Sequence, residues 1–135
     1  MPPVSADAWF WLGLVNARDA WSRDAQAAAE HAAERKIITT AEVLIEVLNA
    51  LSGMGESMRL AGAQLVRGLM QMDETQVEPG STESFPAGLA LYEQRRDKQY
   101  SLVDCISMTT MRRLGIDEVL TGDHHFAQEG FSLLR

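Results

Sequence analysis

The chain has 135 residues, the usual span of one domain with room for a buried core. Hydrophobic residues make up 46% and charged residues 23%, which excludes wholesale disorder, and a lone cysteine, Cys105, excludes an internal disulfide. The net charge of −7 excludes a protein that grips nucleic acid with its whole surface, since phosphates call for Lys and Arg, although positive charge can also arrive as metal ions.

Val4 to Ala6 is long enough only for a short first strand, and Asp7 precedes an apolar stretch, Ala8 to Val15. That stretch has no basic region before it and runs into Asn16-Ala17-Arg18-Asp19, unlike a signal peptide, and it is too short to span a bilayer. The expectation is a soluble, cytoplasmic protein. Asn16 to Trp21 reads as a loop entering an alanine-rich helix, Ser22 to Glu34. Lys36 to Thr40 carries β-branched residues in a row and predicts a buried strand. Thr40 is placed to cap a helix from Ala41 to Leu51 that ends at Ser52-Gly53.

A further helix is expected from Glu56 to Met72, with Met58, Leu65, Leu69 and Met72 on one stripe. Gln76-Val77 predicts a short strand before the Pro79-Gly80 turn, and Pro86 to Arg96 a helix. The helix starting at Ser101 stops at Gly115. Glu118 to Thr121 and Ser132 to Leu134 complete the strands. Short strands alternating with longer helices predict a three-layer α/β/α sandwich with a short, mostly parallel sheet, in one domain. Ligands of such sheets bind beyond the carboxyl ends of the strands, at the switch point.

Four acids stand out against that topology. Asp7 and Asp123 each follow a strand, Asp104 lies in the first turn of the Ser101 helix, and Glu46 sits within Val43-Leu44-Ile45-Glu46-Val47-Leu48, a helix apolar nearly all round. Carboxylates forced together repel, so such a cluster persists with a cation between them or with shifted pKa values. Oxygen ligands of this kind suit Mg²⁺ or Mn²⁺. Each acid also has a structural reading. Ser101 to Asp104 is a capping box, Asp7 and Asp123 stand where N-caps stand, and Glu46 aligns with Glu42 and Asn49 as a wet stripe.

The motifs Ala6-Asp7-Ala8-Trp9, Leu44-Ile45-Glu46-Val47-Leu48-Asn49, Tyr100 to Met108, and Leu120-Thr121-Gly122-Asp123-His124-His125-Phe126 occur in that order along the chain. Together they resemble the PIN-domain ribonucleases. The resemblance implies that Asp7, Glu46, Asp104 and Asp123 hold Mg²⁺ or Mn²⁺ and are catalytic, with Thr121 the hydroxyl beside them. Two positions depart from it: Ala8-Trp9 replaces the Thr or Ser that often follows the first aspartate, and His125 stands where some members carry another aspartate.

No side chain is a convincing nucleophile, because Ser101 and Cys105 lack a base at an obvious spacing. Water is therefore the expected nucleophile, attacking an RNA phosphodiester with a divalent ion supplying the charge. Thr121, Arg18, Arg112 and Arg113 are candidate substrate contacts, and Arg95, Arg96 and Lys98 form a second basic cluster; a solvated helix face is the plainer reading of the basic residues, with an RNA backbone running along them the alternative. His124 and His125 read as capping or packing residues. Trp9, Trp11 and Trp21 read as core or interface, with base stacking the alternative. The resemblance further implies the toxin of a VapBC-type toxin–antitoxin pair, with RNA as substrate, a small antitoxin as partner, and a homodimer. The competing reading is a catalytically inactive PIN-like interaction or RNA-docking module. A phosphatase is disfavoured because no D-x-D follows Asp7.

Overall fold

A computed structural model describes residues 1–134. The elements in chain order are β1 (Val4–Ala6), α1 (Ala8–Val15), α2 (Ser22–His31), β2 (Ile37–Thr40), α3 (Ala41–Leu51), α4 (Glu56–Gln71), β3 (Thr75–Glu78), α5 (Ser84–Gln94), α6 (Leu102–Leu114), β4 (Glu118–Leu120), α7 (His125–Gln128) and β5 (Ser132–Leu133). The strands form one sheet in the order β3-β2-β1-β4-β5, and every pair is parallel. The sheet is thus wholly parallel rather than mostly so.

Alternation within the strands divides the core in two, because successive side chains of a strand point to opposite faces. Val4, Ala6 and Leu120 join Phe10, Trp11, Ala25, Ala28, Val43, Val47 and Leu51 under α1 to α4. On the other face, Val119 and Ile38 join Leu91, Cys105, Met108, Met111 and Phe126 under α5 to α7. With both faces covered, these short strands carry few charges, and each large apolar side chain buried contributes about 1.5–3 kcal/mol.

Local signals explain most boundaries. The Thr40 Oγ1 accepts from the Val43 N–H at 3.1 Å, capping α3. Gly115 ends α6 in the left-handed conformation, φ 70°, which costs a residue without Cβ little. α2 ends at His31, three residues before the expected Glu34, which itself adopts φ 68° and cannot continue a right-handed helix. α5 begins two residues before Pro86, since a proline in the first turn sacrifices no helical hydrogen bond.

Two side-chain expectations fail. Met72 falls just past the end of α4 and is 49% exposed, whereas Met58 and Leu65 pack on the core and Leu69 is buried. Ile45, on the helix read as apolar nearly all round, is 58% exposed. Among the described residues, no helix is long and apolar enough to cross a membrane.

Candidate active site

The strand order reverses between β1 and β4, and this switch point is where the first and last acids emerge. Asp7 directly follows β1, and its N–H donates to the Leu120 carbonyl at 3.2 Å. Asp123 follows β4 after Thr121 and Gly122. Ser5 and Ala6 pair with Val119 and Leu120, so the two aspartates leave adjacent strands at one edge.

Asp7 occupies the N-cap position of α1, yet its carboxylate caps nothing. Its side chain is turned to β4, where the Thr121 hydroxyl donates to Oδ2 at 3.1 Å. The same Oγ1 accepts from the Asp123 N–H at 3.0 Å, so one threonine ties both acids. Oδ1 of Asp7 is buried and has no hydrogen-bond partner. Burial, then the nearby Asp104 and Glu46 charges, push the Asp7 carboxyl up to about 7, against the opposing hydrogen bonds from the Ala8 N–H and Thr121.

Asp104 performs two tasks. Its N–H donates to Ser101 Oγ at 3.0 Å while Oδ2 accepts from the Ser101 N–H at 3.1 Å, closing the capping box. That same Oδ2 lies 3.3 Å from His125 Nδ1. Burial raises the Asp104 carboxyl, with hydrogen bonds from Ser101 and His125 working against it and the Asp123 charge adding to the rise. Capping thus aims this acid without using it up.

Glu46 projects from the second turn of α3 and is half-buried. Burial, followed by the charges of Asp104 and Asp123, raises its carboxyl. The acids that raise it belong to the cluster, so Glu46 lies within its electrostatic reach. His125, read from sequence as a packing residue, enters the site: Nδ1 stands 3.2 Å from Asp123 Oδ2, and its N–H donates to Asp123 Oδ1 at 3.0 Å. Among the described residues, Asp104, Asp123 and His125 offer ligand atoms within 4.8 Å of one another. Asp7 and Glu46 lie outside that tight group but share its electrostatic field.

This donor set fits a divalent cation. Several carboxylates converge, one buried carboxylate oxygen lacks a partner, and one imidazole nitrogen adds a softer donor, all within reach of a hard or borderline ion.

The candidate basic contacts lie elsewhere. Arg18 is in the turn after α1, whose eight residues put about 12 Å between it and Asp7. Arg112 and Arg113 occupy the last turn of α6, about two turns from Asp104. Arg112 pairs with Glu129 at 2.7 Å, and Arg113 stands 3.8 Å from Glu78. Nothing in the spacing signalled that Glu129 collects Arg112, Arg95 and Tyr100. Trp11 is core, its Nε1–H donating to Thr39 Oγ1 at 3.2 Å, and Trp21 is 51% exposed. Trp9 lies at the site: a Cβ on Gly122 would meet its indole at 2.6 Å, so only glycine lets the ring rest on that backbone.

A parallel, doubly covered sheet with carboxylates converging at its switch point defines a small three-layer α/β domain with an acidic site at the carboxyl edge of its strands. The chain belongs to the PIN domain family, whose model matches residues 6–131. Its fold is similar to the crystal structure of VapC20 from Mycobacterium tuberculosis, described as a sarcin–ricin loop cleaving toxin; the TM-score is 0.82 at 25% identity, over 95% of each chain. No curated protein sequence matches significantly.

Proposed function

We propose that this chain is a metal-dependent endoribonuclease acting as one domain, with Asp7, Glu46, Asp104 and Asp123 as the acids that hold Mg²⁺ or Mn²⁺. The observation that carries the reading is the unpartnered, buried Oδ1 of Asp7 beside three further acids. Buried carboxylates without counter-charge are costly, and a divalent cation would supply that charge where protonation does not. When bound, a divalent ion supplies an electrophile for the scissile phosphate and a nucleophilic water near neutral pH.

The protein's own part is positioning. Thr121 fixes Asp7, Ser101 fixes Asp104, and His125 holds Asp104 and Asp123 at one point. Preorganised acids of this kind need no rearrangement as charge develops on the phosphate. Thr121, expected as a substrate contact, accordingly acts as a positioning residue in this reading. RNA as the substrate, and a toxin role in a VapBC-type pair, are supported by the likeness to VapC20. The cytoplasm is the proposed place of action and a homodimer the proposed assembly. A small antitoxin is the proposed partner, supported by the apolar groove between α3 and α4, where Ile45 and Met70 are exposed beside Leu44, Leu48 and Val77.

The test is cleavage of a mixed RNA pool with Mn²⁺, with and without EDTA, for the natural chain and Asp104→Asn. Asparagine keeps an acceptor for the Ser101 N–H, so the variant should fold normally and lose at least about a hundredfold in rate. Products with 5′-phosphate and 3′-hydroxyl ends are expected. An active Asp104→Asn, or cleavage indifferent to EDTA, would overturn the metal-dependent acidic site, and a natural chain that cuts nothing with Mn²⁺ would leave the inactive docking module as the better reading.

A further inference from the structure

Five of the 12 Lys and Arg residues fall between positions 95 and 113, namely Arg95, Arg96, Lys98, Arg112 and Arg113. The structure sorts them. Glu129, its side chain 5% exposed, takes Arg95 through two bonds of 2.8 and 2.9 Å and Arg112 through a third of 2.7 Å. Both guanidinium groups are spent on joining α5, α6 and α7. Arg113 leans toward Glu78. Arg96 is exposed and, among the described residues, makes no ion pair, and Lys98 has only the exposed Asp97 at 3.4 Å. An exposed pair of that kind is worth little and exchanges readily for a phosphate.

Arg96 and Lys98 stand on a groove. A concavity of about 710 Å³ follows the end of α5 and the turn after it, lined by Tyr92, Arg96, Lys98, Gln99 and, as its acid, Glu93. A second of about 220 Å³ is lined by Asp97, Lys98, Gln99, His124, His125 and Gln128, with Asp97 its one acid. The two adjoin at Lys98 and Gln99, and this channel of two concavities reaches the imidazole beside Asp104 and Asp123. Tyr92 is 51% exposed on the wall of this channel, at the end of an exposed apolar stripe of α5 that begins with Phe85 and Leu89.

Free cations for the backbone, amides for base edges and a solvent-facing ring for stacking are what a flexible polynucleotide strand requires. We infer that the channel binds single-stranded RNA flanking the scissile bond, with phosphates on Arg96 and Lys98 and one base stacked on Tyr92. This rests on the ribonuclease reading. It also shows how a chain of net charge −7 approaches RNA: within this cluster Glu129 and Glu78 take three of the five cations, and the other two lie beside the path that leads to the acids.

The test uses the full chain and a fluorescein-labelled 20-nucleotide single-stranded RNA, with binding followed by anisotropy in EDTA. Arg96→Glu with Lys98→Glu should weaken binding at least about tenfold and reduce the slope of log K against log salt by about 1.4, two phosphates at about 0.7 each. Tyr92→Ala should weaken it at least about fivefold. Arg67→Glu, an exposed change on α4 away from the channel, should leave it within about twofold. With Mn²⁺ present, the channel variants should raise KM while the single-turnover rate at saturating enzyme stays near that of the natural chain.

Unchanged binding in the channel variants, or an equal loss in Arg67→Glu, overturns the channel and leaves cleavage standing. A natural chain that neither binds nor cuts RNA overturns the ribonuclease reading itself.

Discussion

The Thr121 hydroxyl donates to Asp7 Oδ2 at 3.1 Å across the β1–β4 boundary, joining residues 114 positions apart in the chain. Because the same oxygen accepts from the Asp123 N–H, both sides of this hydroxyl are in use. Thr121→Val keeps the shape and removes both bonds. Leaving buried groups unpaired costs about 1–3 kcal/mol, so urea unfolding should show a loss in that range, with cleavage reduced at least about tenfold. Thr121→Ser should recover most of both. A valine variant as stable and active as the natural chain would remove Thr121 from the site.

Asp7 ties stability to pH in an uncommon direction. Its carboxyl is raised from 3.8 to about 7 in the fold, so between those values the native state holds the proton more tightly than the unfolded chain. Metal-free protein should therefore lose stability as pH rises from about 4 to 7, by at most about 4 kcal/mol. Asp7→Asn should flatten the profile, and Mn²⁺ should restore stability at pH 8. Melting curves across that range, with and without EDTA, decide it.

Glu129 works in the opposite direction. The guanidinium of Arg95 first, and then Arg112 and Tyr100, hold its carboxyl at about 2, well below 4.5. Its contribution is complete above about pH 4.5 and disappears as pH falls through about 2. It amounts to about 2–3 kcal/mol at neutral pH. Glu129→Gln should lose that amount at pH 7 and show a shallower decline in acid. Equal acid sensitivity in the two proteins would show that the pair contributes nothing net.

His125 offers the cluster its one nitrogen. A nitrogen donor favours a first-row transition ion over Mg²⁺, which prefers an all-oxygen shell. Calorimetric titration of His125→Ala should show Mn²⁺ binding weakened about tenfold or more and Mg²⁺ binding much less. Equal losses for the two ions would make His125 a holder of the aspartates only.

Much of this was readable from the chain, and the reasons are local. β-branched runs, Thr40 and Ser101 as caps, and Gly115 as a stop all act within a few residues. The placement of Asp7 and Asp123 at one sheet edge follows once two strands are assigned and taken as parallel. What stayed hidden depends on distant partners. His125 meets Asp104 from 21 positions away, and Glu129 gathers arginines from 17 and 34 positions away. Trp9 follows the Ala8 that stands where the resemblance leads one to expect a small polar residue, and its place is explained only by Gly122, 113 positions later, which leaves room for the ring. Spacing within one helix or strand carries no trace of such meetings.

The parallel sheet gives the molecule two unlike ends. Met1 to Pro3 lead into β1 from the side where the strands begin, while the acids gather where β1 and β4 finish. An affinity handle, a fluorophore or a whole fusion partner joined ahead of Val4 would hang on the inert side. The same cargo inserted into the turn after β4 would sit over the acids themselves.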